Sequence, residues 1–193
     1  MKIRALILVV SLGLGLIGGL GTVAPASATK PASGSFTTTL TLAPTTVDGT
    51  DITLSGDVTA TISRFTVQDG RIVAVADASG TLTASSPTLG TATLVITDSR
   101  LILNANVTAD CQGNLHIDFQ GVLQVQGTLT FTDTSGTTTT VPINETIPLN
   151  GSLDFTAETT SQTSLICDIS RLLQNRSSAK ALADKLNTLL AKI

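Results

Sequence analysis

The one histidine of this 193-residue chain, His116, lies in the segment NLHIDFQG, two residues before Asp118. In an extended strand, positions 116 and 118 share a face, opposite Leu115, Ile117 and Phe119. An imidazole beside a carboxylate can act as a general base. It would need a nucleophile from elsewhere, and no G-x-S-x-G segment supplies one. Two polar side chains on the wet face of a strand are the plainer account. No catalytic residue is assigned, and His116 and Asp118 are kept as the candidates that a hydrolase would use.

The remaining ligating side chains are few. Cys111 and Cys167 with one histidine cannot complete a zinc cage. The motif DGTD at 48–51 offers oxygens but lacks the ligand spacing of a calcium loop. The other carboxylates are scattered beside Gly, Ser and Thr, where Asp serves turns. No metal and no cofactor is expected. A glycosidase-type carboxylate pair would lack aromatic platforms, because the chain has five Phe and no Trp or Tyr. The N-x-Ser/Thr matches at Asn106, Asn144 and Asn175 are what so Thr-rich a chain gives by chance.

The elements that must position these groups begin with one that is removed. Lys2 and Arg4 precede the apolar run ALILVVSLGLGLIGGLGTVA and the small-residue signal Ala26-Ser27-Ala28. This reads as a signal peptide over 1–28, cut after Ala28, and implies a secreted or extracytoplasmic protein. No Cys follows the cut to carry a lipid, and no later apolar run could span a bilayer. In an oxidising compartment the even cysteine count points to one disulfide. Without Lys2 and Arg4 the 11 basic residues become 9 against 14 acids, a net charge of −5. Acidic character without Trp or Tyr excludes a nucleic-acid partner. It also removes the aromatic girdles of an outer-membrane barrel.

Residues 29–163 read as a β domain. Ile52, Leu54, Gly56, Val58, Ala60 and Ile62 alternate with polar or Thr positions. The same period runs through Leu101–Ala109, Leu115–Phe131 and Leu153–Ala157. Period two buries one face and wets the other, and Thr suits the wet face of a pleated strand. Asp69-Gly70 predicts a type I′ hairpin turn. The parity change between Ile62 and Phe65 predicts a bulge at Ser63-Arg64. Ile72 to Ala76 is apolar on both faces, as a covered central strand would be. Asp133 to Gly136 predicts another turn, and Pro142 and Pro148 an edge strand or loop.

Residues 164–193 change character. Leu165, Ile166, Ile169, Leu172 and Leu173 fall at helical spacing, as do Ala179, Leu182, Ala183, Leu186, Leu189, Leu190 and Ile193. Ser177 or Ser178 would cap the second run. Residues 31–163 carry 3 basic and 12 acidic side chains, and residues 164–193 carry 5 and 2. The cationic helical segment either packs on the acidic body or docks on an anionic membrane or partner. The expected fold is all-β, an antiparallel sandwich or flattened barrel, with a C-terminal amphipathic helix packed on it.

The segment ISRFTVQDGRIVAVADASGTLT resembles a motif of uncharacterised exported bacterial proteins of actinobacterial type. These carry an R-F-x-V-x-x-G-x-L-V-A-like hairpin before a G-T-L-T strand. A Cys then precedes an L-H-L-like strand, and a second Cys lies near a Leu-rich C-terminal helix. Cys111, LHID at 115–118, Cys167 and LLQN occupy that order here, so the similarity covers residues 60–193. It departs in FQGVLQVQGTLTFTDTSGTTTT, where that group has a Leu-rich stretch with Pro-Gly. The resemblance implies a shared fold and a Cys111–Cys167 bridge, and no activity.

Three functions follow. The first is a secreted, non-catalytic β protein of the cell envelope or exterior, with an apolar small molecule between sheet and helix. The second is a module docking an envelope component through its cationic helix. The third is the hydrolase using His116 and Asp118.

Overall fold

A computed structural model describes residues 35–42, 45–47, 50–132, 136–175 and 178–193. The expected signal segment 1–28, Asp48 of the DGTD motif, residues 133–135 of the expected turn and the candidate cap Ser177 lie outside the described residues.

The strands are β1 (Phe36–Leu42), β2 (Thr45–Thr46), β3 (Thr53–Gln68), β4 (Arg71–Ser86), β5 (Gly90–Ala109), β6 (Asn114–Thr132) and β7 (Thr138–Thr156). Two helices follow, α1 (Thr160–Gln174) and α2 (Ala179–Leu190). From β3 to β7 each strand lies antiparallel beside the last. β1 fits between β7 and β3, so six strands form a ring, and β2 continues alongside β3. The fold is the expected antiparallel β architecture.

The ring is flattened because its pairings are uneven. β5 meets β6 only from Asn104 to Ala109, opposite Leu115–Gln120. β1 meets β7 only at Leu40–Leu42. Beyond these seams the β6–β7 hairpin and the β3–β5 sheet share one core, as the two layers of a sandwich would. Gly151 permits the β1–β7 seam: a Cβ there would lie 2.6 Å from the Thr39 carbonyl. Gly80 does the same for the β3–β4 crossing, with 2.8 Å to the Asp57 carbonyl.

The alternation sets the faces as expected. Leu115, Ile117, Phe119, Leu123, Leu129 and Phe131 all point into the core. Asp69 and Gly70 both take positive φ, 51° and 73°, as a type I′ turn needs. The register of β3 slips between Ile62 and Arg64, at the expected bulge. Ile72 to Ala76 are all buried in a strand flanked on both sides. Pro142 and Pro148 sit within β7, opposite Thr128 and Val122 of β6. That half of β7 pairs with β6 alone, so the missing N–H groups cost the sheet nothing.

The helical part starts at Thr160, before the expected residue 164. The reason is a capping box: Thr159 accepts from the Gln162 N–H, and the Gln162 side chain accepts from the Thr159 N–H. Ser178 caps α2. Ile166, Ile169, Leu186 and Leu189 lie in the same core as the strands. α2 packs on β3 and β4, and α1 on β5 and β6. None of the described helices is long and apolar enough to cross a membrane.

Candidate functional site

Two polar features stand near the helices. The first is a histidine held between two carboxylates. His116 of β6 has Asp118 two residues along its own strand and Asp154 opposite it on β7. Nδ1 lies 2.6 Å from an Asp154 carboxylate oxygen, and Nε2 lies 3.0 Å from one of Asp118. A neutral imidazole has one N–H and could satisfy only one of these contacts. The carboxylates, Asp154 foremost, therefore raise the His116 pKa above its ordinary value of 6.5. With both nitrogens engaged, no lone pair is free to accept a proton from a substrate. His116 and Asp118 thus meet as expected, joined by an Asp154 that no spacing rule could supply. Their chemistry is that of a clamp between β6 and β7.

The turn that leads into β6 carries the disulfide. Cys111, in the turn between β5 and β6, is bonded to Cys167 of α1. Asp110 orders that turn by accepting the N–H groups of Gln112 and Asn114 and the Asn114 side-chain amide. These bonds, the Asn114 side chain first, hold its carboxyl below the usual range. The bridge is a mark of an oxidising, extracytoplasmic compartment.

The second feature is a cleft of about 770 Å³ between the helix pair and the sheet. β5 pairs with β4 only as far as Val73 opposite Asn104, and from Ala105 onward it follows β6 alone. The cleft lies where these strands part. Leu172 and Leu173 from the end of α1, with Ala179 and Leu182 from the start of α2, form its apolar wall. Gly70, Arg71 and Ile72 bring the start of β4 to its edge. Residues 104–107, 118–120 and 150–151 supply the sheet side. Asn104, Gln120 and Asn150 stand opposite one another across β5, β6 and β7. They form a row of carboxamides that can donate and accept.

Sequence reasoning placed the leucines on a packing face and missed the carboxamide row. The row follows from the strand register, which periodicity alone does not give. No group of three or more His, Cys, Asp or Glu among the described residues could hold a metal ion. Compared with known proteins, the chain matches no family model, no curated protein and no solved structure.

Proposed function

We propose that this is a non-catalytic binding protein of the cell envelope or exterior, exported through its N-terminal signal and holding the apolar part of a small molecule in the helix-roofed cleft. The observation that carries this reading is the opening itself. A volume of about 770 Å³ is in the range of small-molecule sites. It sits where two strands part and is walled by the half-buried Leu172 and Leu173 and the buried Leu182 rather than filled by them. The similarity to exported two-cysteine bacterial proteins agrees with an extracytoplasmic role.

The docking alternative has less support. The apolar face of α2 is spent on the core, with Leu186 and Leu189 fully buried. Lys185 is paired to Asp168 at 2.7 Å and Lys180 to Asp184 at 3.1 Å. The hydrolase reading lacks a free base at His116.

The test is delipidated protein titrated with a pyrene-labelled fatty acid and with its methyl ester. Saturable one-to-one binding of at least one probe is expected, and Leu173→Asp should abolish it without changing the circular dichroism. If neither probe binds saturably, the proposal is wrong.

A further inference from the structure

We infer that the cleft's ligand is a single-chain amphiphile with a carboxylate head, paired by Arg71. This rests on the binding function proposed above and names its ligand class. Among the described residues, Arg71 is the one basic residue lining the cleft, and Asp118 the one acidic residue. Their charges are not equally available. Asp118 faces the imidazole of His116 at 3.0 Å, and that ring is biased toward its cationic form by Asp154 on its other side. Arg71 is exposed, and among the described residues no carboxylate lies within ion-pair distance of it. In a body carrying 3 basic and 12 acidic side chains over residues 31–163, an unpaired guanidinium at a cleft mouth is a local reversal of field.

The geometry separates head from tail. Arg71 follows the β3–β4 turn, and Asn104, which lines the cleft with it, offers amide hydrogens to the same opening. Leu172, Leu173, Ala179 and Leu182 make the wall supplied by the helix pair. A planar guanidinium grips a carboxylate through two parallel N–H donors, a stronger and more directional contact than a neutral hydrogen bond. An alkyl chain along the leucine wall would gain from leaving water. An uncharged apolar molecule would leave the guanidinium and the carboxamide row unused. An anion without a chain would leave the leucines unused.

The experiment compares the pyrene-labelled acid with its methyl ester on the whole delipidated protein and on Arg71→Gln. The acid should bind the unaltered protein about tenfold more tightly than the ester, the gain expected of a charged over a neutral contact. In Arg71→Gln the two probes should bind alike, at the affinity of the ester. Unchanged melting of Arg71→Gln by circular dichroism shows that the fold is intact, as an exposed side chain allows. Acid and ester binding the unaltered protein equally would overturn the carboxylate assignment while leaving a binding cleft. Persistence of the acid's preference in Arg71→Gln would overturn the role of Arg71. Failure of both probes would instead overturn the binding function itself.

Discussion

The two ends of the flattened ring are built differently. Away from the helices, Leu54, Leu82, Leu94, Leu129 and Phe131 meet in an apolar core. Among the described residues a local polar network ties the β4–β5 turn to the start of β3: Asp51 accepts the Ser86 and Thr88 hydroxyls at 2.8 and 2.9 Å, and Ser86 accepts the Thr88 and Leu89 N–H groups. At the helix end the polar contacts run between separate elements, helix to strand and helix to helix. Asn187 of α2 accepts the Phe65 N–H at 2.7 Å and donates to the Phe65 carbonyl at 2.8 Å. Gln162 donates to the Lys192 carbonyl at 3.1 Å and so joins the start of α1 to the end of α2. Lys185 pairs with Asp168, and the disulfide joins α1 to the β5–β6 turn. The difference has one cause. β3 loses β1 as a partner after Ile62, and β5 leaves β4 after Asn104. Where strands part, backbone groups need side-chain partners, and space opens for a ligand.

That contrast can be broken by two substitutions. Phe131 is 1% exposed. Phe131→Ala should cost about 3–5 kcal/mol, the usual penalty for emptying an aromatic site in a close-packed core. Asn187→Ala should cost about 1–3 kcal/mol, because it leaves the Phe65 N–H and carbonyl without partners in a partly buried place. Urea denaturation of both variants gives the comparison. It should also show faster amide exchange at Phe65 in Asn187→Ala and not in Phe131→Ala. If Asn187→Ala cost as much as Phe131→Ala, the two ends would not differ in the way described.

The same contrast explains what the sequence could tell. Period-two alternation is a property of one strand, so the buried rows of β3 and β6, the bulge after Ile62 and the Asp69-Gly70 turn could all be read from it. The helical spacing of Leu182, Leu186, Leu189 and Leu190 was equally local, and all four are buried. The start of α1 was missed although Thr159 and Gln162 formed a readable capping box. What alternation cannot hold is register. The meeting of His116 with Asp154, the row Asn104–Gln120–Asn150 and the grip of Asn187 on Phe65 depend on which residues come opposite each other across strands and helices. So the helix end of the molecule, which bears the candidate site, was the less legible end.

The smallest effect sharpens the comparison by making one end titrate. His116 is the only histidine, so its imidazole signal can be followed by NMR without assignment of others. Its two carboxylate partners raise its pKa, Asp154 more than Asp118. A raised folded-state pKa means that the contribution to stability is fully present below 6.5, the ordinary histidine value. It is lost as pH rises through the elevated folded-state value. The melting-temperature gap between the protein and His116→Gln should therefore be wider below pH 6.5 than above it, and narrow as pH rises through the elevated folded-state value. The contribution is small because the imidazole is 39% exposed and its partners more so. Asp154→Asn should lower the His116 pKa more than Asp118→Asn, in keeping with the 2.6 Å contact against the 3.0 Å one. A pKa at or below 6.5 in the unaltered protein would mean that the ring is not clamped. Amide exchange around Phe131 should not follow this titration, because among the described residues the hydrogen bonds of the His116 side chain go to Asp118 and Asp154, away from that end of β6. If it did, the two ends would be one cooperative unit at this pH, and the division drawn from strand pairing would have no energetic content.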